Sequence, residues 1–133
     1  MNRENDSGFT NPVYYDDDAK TSSIENEVVG ILGYGSQGHA QAQNLADSGI
    51  DVVVGLPVDS ASRQAAKDDG LTVKSPSEAA EVSDRIVMLV PDTVQPTLYN
   101  QIQSGIEEGD TLQFAHGFNI HYGQIEPSKD VDV

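Results

Sequence analysis

The sequence predicts an α/β chain, with an open and mainly parallel β-sheet covered by helices. Three observations lead there. Short aliphatic runs at residues 28–32, 52–56, 71–73, 85–90 and 111–115 alternate with helix-like segments bounded by Gly, Ser, Asp and Pro. The two densest runs, Val28-Val29-Gly30-Ile31-Leu32 and Ile86-Val87-Met88-Leu89-Val90, are apolar at consecutive positions, as strands buried on both faces require. A glycine-rich turn, Gly33-Tyr34-Gly35-Ser36-Gln37-Gly38, follows the first run directly and opens a helix rich in Ala and Gln.

Taken in order, residues 1–27 are polar, include Tyr14-Tyr15-Asp16-Asp17-Asp18, and carry no sustained apolar period; they read as an extension with a loosely held start. A single domain, 28–133, follows. Its first helix stops at Gly49, after Leu45-Ala46-Asp47-Ser48. Ser75-Pro76-Ser77-Glu78 supplies an N-cap, a proline in the first turn and a capping glutamate, so a helix starts there. Asp92-Thr93-Val94-Gln95 repeats the capping pattern after the fourth strand. Val131-Asp132-Val133 resembles the opening of a further strand, and since a parallel sheet buries both faces, the domain reads as incomplete at its C-terminal end.

The 133 residues suffice for one domain and are too few for a cofactor domain with a separate substrate domain. Against 22 acidic residues stand 7 basic ones, a net charge of −15, which disfavours nucleic acid and anionic membranes as partners. The aliphatic runs argue against disorder, and the acidity fits a salt-adapted surface whose self-repulsion is screened when the Debye length falls to about 3 Å near molar salt. The chain has no cysteine, hence neither a disulfide framework nor a thiolate metal site. No apolar stretch approaches the roughly 20 residues that span a bilayer, and the polar start lacks a signal-peptide core. A cytoplasmic location is the expectation.

The glycine turn matches the dinucleotide fingerprint in its strand-to-helix setting, which makes the domain Rossmann-type. Gly33 permits the tight turn, Gly35 lets the backbone approach a pyrophosphate, and Gly38 allows close helix–strand packing; the amides at the helix start face the anion. The second strand ends Val54-Gly55-Leu56 without the carboxylate that an NAD ribose usually meets. The loop beyond it offers Ser60, Ser62 and Arg63 as donors to a 2′-phosphate, while Asp59 opposes one and Ser60 could equally cap the next helix. NADPH is favoured over NADH. His116, just past the fifth strand, lies where ligands of open α/β sheets bind and where an imidazole can transfer a proton. A structural role is the plainer reading of such a loop histidine; His121 is a weaker candidate, and His39 is expected to support packing. Asp16, Asp17 and Asp18 diverge too much to form a compact Mg²⁺ site and read as a solvated or capping cluster.

Two segments together, residues 33–40 and Phe114-Ala115-His116-Gly117-Phe118-Asn119-Ile120, resemble the hallmark segments of ketol-acid reductoisomerases. Tyr14-Tyr15-Asp16-Asp17-Asp18 and Leu89-Val90-Pro91-Asp92-Thr93-Val94-Gln95 fit the same family, in the same order. The resemblance implies Mg²⁺-assisted alkyl migration on 2-acetolactate or 2-aceto-2-hydroxybutyrate, then reduction by NADPH, in valine, leucine and isoleucine synthesis. It implies further that Tyr34, Ser36 and Gln37 with the glycines line the pyrophosphate and that Ser60 and Ser62 meet the 2′-phosphate. Asp92, Thr93, Val94 and Gln95 would lie along the cofactor, and His116 would be the active-site histidine. Pro57 and Asp59 depart from the family's specificity loop, which carries a basic residue and a glycine there. The family's Mg²⁺ ligands belong to a helical C-terminal domain absent here, so no metal site and no turnover are expected of this chain alone. Full-length members are expected to form homo-oligomers. Competing readings are a non-catalytic nucleotide-binding module or truncated remnant, and another short-substrate NAD(P) reductase.

Overall fold

The computed structural model describes residues 12–133; the first part of the N-terminal extension lies outside them. The described part of the extension is largely exposed and forms short 3₁₀ turns at Asp16–Asp18 and Thr21–Ser23. Asp18 accepts a hydrogen bond from the Tyr15 amide at 2.9 Å, a capping use of that carboxylate. Ile24 packs onto the core, and Glu27 forms an ion pair of 2.9 Å with Arg85.

Five strands follow: β1 (Val28–Leu32), β2 (Asp51–Gly55), β3 (Thr72–Lys74), β4 (Arg85–Met88) and β5 (Thr111–Phe114). They alternate with α1 (Ser36–Asp47), α2 (Ser62–Asp68), α3 (Pro76–Val82) and α4 (Gln95–Ile102), and the short α5 (Phe118–His121) comes after β5. All pairings are parallel, in the order β3-β2-β1-β4-β5. This is a Rossmann-type half-sheet and its extension, with the strand order reversing between β1 and β4. Beyond β5, Asp132 forms an isolated parallel bridge with Thr111, where the sequence suggested the opening of a further strand.

Alternate residues of each strand face opposite layers. Leu32, Val53, Ile86, Met88 and Leu112 pack with Ala79 and Ala80 of α3 and with Leu98, Tyr99 and Ile102 of α4. Val29, Ile31, Val52, Val54 and Val87 pack with Ala42 of α1 and Ala66 of α2. Neighbouring side chains fill the space beside two of the glycines: a Cβ on Gly30 would lie 2.3 Å from Ser83 Oγ, and one on Gly55 2.4 Å from a Leu32 methyl.

Strand ends differ from expectation by one or two residues. β2 and β3 shift by one position, to Asp51–Gly55 and Thr72–Lys74, and β5 stops at Phe114. β4 ends at Met88, opposite Leu32 of β1, because the ladder runs out with its partner; Leu89 and Val90 continue as wall of the cleft below. The end of α1 is as read: Gly49 adopts φ +81°, and Gly49 and Ile50 amides close on Ala46 and Leu45 carbonyls. Ser75 caps α3 reciprocally with Glu78, whose carboxyl is held below its ordinary range by hydrogen bonds from the Ser75 backbone and hydroxyl. The analogous reading at residues 92–95 fails, since α4 begins at Gln95 with no side-chain cap. The Pro91 carbonyl takes the Val94 and Gln95 amides instead.

Candidate functional site

The carboxyl ends of β1, β2, β4 and β5 open onto one cleft of about 580 Å³. Gly33 turns the chain at φ +104°, and a Cβ there would stand 2.8 Å from the Leu89 carbonyl oxygen. Gly38 is buried, and its Cβ would meet the Gly33 carbonyl oxygen at 2.3 Å, so the start of α1 packs directly on the turn. Gly35 differs: a Cβ there would meet no atom within 4 Å, because the position faces the open cleft. Ser36 and Gln37 follow it along the cleft wall and are exposed.

The phenol of Tyr34 turns away from solvent. Its ring is buried, packs edge-on to His39 at 5.3 Å between centroids, and its hydroxyl donates to Asp69 at 2.5 Å. Burial, and then the bond to Asp69, hold the phenol above its ordinary pKa. His39, expected to support packing, is instead on the exposed side of α1, 3.5 Å from Asp69. Position 39 faces outward because Gly38 and Ala42 are the residues of α1 that meet the sheet.

The loop from β2 brings Leu56, Pro57, Ser60 and Ser62 to the cleft. Ser60 Oγ accepts the Ser62 amide at 3.3 Å, leaving its hydroxyl hydrogen free to donate elsewhere. Arg63, read from sequence as a third donor to a phosphate, has part of its guanidinium engaged by the loop itself. Its guanidinium donates to the Leu56 carbonyl (3.2 and 3.1 Å) and the Pro57 carbonyl (3.0 Å), bracing the loop from beneath. Asp59 is exposed at the loop tip.

Across the cleft, the segments after β4 and β5 are tied by a buried pair of amides. Asn119 Nδ2 donates to Gln95 Oε1 (2.8 Å) and to the Asp92 carbonyl (3.0 Å), while Gln95 Nε2 donates to the Val90 carbonyl (2.9 Å). Gln95 therefore shapes the wall, with both its amide oxygen and its amide nitrogen engaged within it. Asp92 remains at the cleft, its carboxylate 3.8 Å from Nδ1 of the exposed His116. The Phe118 amide donates to that same Nδ1 at 3.3 Å, so the neutral ring carries its proton on Nε2.

Of the residues singled out in the sequence, those at 33–37, 60, 62, 92, 95 and 116 line one cleft, and Gly38 lies under it. Thr93 is exposed and outside it, while Val94 borders an adjoining hollow of about 240 Å³ with Leu56, Val90 and Leu98. His121 faces another part of the surface, beside β5. Asp69, Asn119 and the bracing role of Arg63 were missed. Each acts through partners distant in sequence or through backbone carbonyls, which local pattern does not disclose. Among the described residues no group of His, Cys, Asp or Glu could hold a metal ion. No helix among them is long and apolar enough to cross a membrane.

The family described as acetohydroxy acid isomeroreductase, NADPH-binding domain, matches residues 23–133. A ketol-acid reductoisomerase (NADP(+)) from Haloarcula marismortui is 62% identical over 125 residues, covering 94% of this chain and 36% of that protein. The solved structure of an NADH-preferring ketol-acid reductoisomerase from an uncultured archean superposes with a TM-score of 0.83 at 42% identity, over 87% of this chain and 37% of that one. A semialdehyde dehydrogenase NAD-binding protein from Cupriavidus necator, with TM-score 0.70 and 24% identity over 80% of this chain and 39% of that one, shares the fold alone. The chain thus spans little more than a third of the reductoisomerases it matches. With the fingerprint turn, the β2–α2 loop and His116 gathered at one sheet edge, the chain belongs to the acetohydroxy acid isomeroreductase family, as its NADPH-binding domain.

Proposed function

We propose that this chain holds NADPH across the carboxyl edge of its sheet and is the nucleotide-binding part of a ketol-acid reductoisomerase. The observation carrying this reading is Gly35. It is the one fingerprint glycine whose missing Cβ leaves open space instead of relieving a contact with the protein itself. A pyrophosphate fits there, against the backbone of residues 33–37 and the amide end of the 12-residue helix α1. The adenine belongs in the hollow bordered by Leu56, Val90 and Leu98. Its ribose 2′-phosphate would meet the hydroxyls of Ser60 and Ser62, while Nε and Nη2 of the nearby Arg63 are already engaged by loop carbonyls. NADPH preference over NADH is therefore modest.

At the other end of the cleft the nicotinamide would approach Asp92 and His116. Bound there, NADPH supplies the hydride for reduction of a 2-keto acid. His116 presents Nε2–H to the substrate oxygen, and Asp92 lies on the opposite side of the ring. The substrates of the whole enzyme would be 2-acetolactate and 2-aceto-2-hydroxybutyrate, converted by alkyl migration and then reduction to dihydroxy acids in branched-chain amino-acid synthesis. The described residues hold no cluster fit for Mg²⁺, so no step of the alkyl migration is assigned to them. The same reading makes the net charge of −15 a salt adaptation of a cytoplasmic, homo-oligomeric enzyme.

Calorimetric titration in molar KCl tests the proposal, using NADPH and NADH against the chain and its Gly35→Ala variant. NADPH should bind more tightly than NADH, and the added methyl should weaken both by about tenfold or more while leaving the thermal midpoint unchanged, since it meets no protein atom. Binding of neither nucleotide to the parent chain would sink the reading.

A further inference from the structure

Helix α2 carries both ends of a problem: it begins at Ser62, beside the Ser60 and Ser62 hydroxyls at the cleft, yet it is seven residues long and buries fully only Ala66. Apolar packing of one alanine is a weak anchor for an element that must keep a loop in register. Two polar tethers hold it instead. At its start, Arg63 grips the Leu56 and Pro57 carbonyls. At its end, Asp69 receives the Tyr34 hydroxyl (2.5 Å) and Gln43 Nε2 (3.1 Å), with His39 Nε2 at 3.5 Å.

A carboxylate at a helix C-terminus faces the negative end of the helix dipole, an unfavourable place for it. Donors from the fingerprint turn and from α1 offset that cost. The tether spans 35 positions of sequence and joins the turn that would cradle the pyrophosphate to the helix that would position the 2′-phosphate loop.

We infer that Asp69 is a positioning residue: by latching Tyr34 to the end of α2, it sets the spacing between the pyrophosphate turn and the 2′-phosphate hydroxyls, and so the preference for NADPH over NADH. The inference rests on the nucleotide reading above. A ligand that touches both places depends on the spacing, whereas NADH, lacking the 2′-phosphate, depends on the turn alone. Loss of the latch therefore lowers NADPH affinity more than NADH affinity.

The test is calorimetric titration of the 133-residue chain in molar KCl with NADPH and NADH, for the parent, Asp69→Ala, Tyr34→Phe and Asp69→Asn. Asp69→Ala should reduce NADPH affinity by about three- to tenfold and NADH affinity by less than about twofold, and Tyr34→Phe should lower the ratio of NADPH to NADH affinity in the same direction. Asp69→Asn, which still accepts from the phenol, should restore most of the preference. Equal losses for both nucleotides, or a lowered thermal midpoint with an unchanged affinity ratio, would reduce Asp69 to a structural contact and overturn the inference. A parent chain that binds neither nucleotide would instead overturn the functional reading on which it rests.

Discussion

Truncation of Asn119 to alanine should be among the costliest single changes outside the apolar core, because its amide clasps two cleft walls in a site closed to water. Asn119 and Gln95 are only 2% and 3% exposed, so water cannot replace lost partners. Asn119→Ala removes the bonds to Gln95 Oε1 and the Asp92 carbonyl, at about 1 kcal/mol net each. It also strands the Gln95 oxygen without a donor, adding at least about 1 kcal/mol. The total is roughly 3 kcal/mol, which for a domain of this size lowers the midpoint by about 10 °C. Thermal unfolding followed by circular dichroism in molar KCl measures it. Pairing the change with Gln95→Met in a double-mutant cycle should recover more than about 1 kcal/mol, since the second change removes the stranded group. A cost below about 1 kcal/mol, or strict additivity, would show that the clasp is not the closed pair described and would refute the reasoning.

Two further changes test other parts of the structure. Gly38→Ala places a methyl 2.3 Å from the Gly33 carbonyl oxygen, a backbone atom that cannot swing away. The overpacking cost of about 1–3 kcal/mol outweighs the gain of about 1 kcal/mol in helix propensity, so the midpoint should fall and nucleotide binding with it; an unchanged midpoint would show that α1 does not pack on the turn as described. Asp110 is raised above the ordinary carboxylate range, first by burial and then by the charges of Glu107 and Asp84, against the Glu107 amide that donates to it at 2.8 Å. Its folded pKa exceeds its unfolded one, so the charged form costs stability above the folded pKa, and the cost vanishes as pH falls below the unfolded value. Asp110→Asn, which keeps the acceptor, should raise the midpoint by about 2–4 °C near neutral pH and leave it unchanged near about pH 3. A gain that persists in acid would point to some cause other than ionisation.

Strands that bury both faces announce themselves in sequence. β1 and β4 carry uninterrupted apolar runs because the α1–α2 layer and the α3–α4 layer each claim alternate residues. Where they end is set by the neighbour and not by the run, which is why 85–90 reads as a strand but pairs only to Met88. The start of α3 was legible for a related reason: Ser75, Pro76 and Glu78 act on one another locally. At α4 the same kind of side chains stood in sequence, yet a main-chain carbonyl at Pro91 did the capping. A backbone acceptor leaves no trace in residue identity.

The same division runs through the candidate site. Gly33, Gly35 and Gly38 were legible because a glycine-rich turn has few uses where strand passes into helix, and their surroundings differ: a Cβ would meet the Leu89 carbonyl at Gly33, the Gly33 carbonyl at Gly38, and open space at Gly35. Arg63 had a use the sequence did not disclose, because a guanidinium that can reach a phosphate can equally reach the carbonyls of Leu56 and Pro57, and only the loop's path brings them within its range. Asp69 and Asn119 had no local signal at all, since their partners are 35 and 24 positions away. Both latches join segments that follow different strands, one on each side of the cleft. The glycines make room for a dinucleotide, but the distances between the places it would touch are fixed by these long-range polar bonds. On the reading proposed above, nucleotide preference would depend on such residues as well as on the Ser60 and Ser62 hydroxyls that would meet the 2′-phosphate.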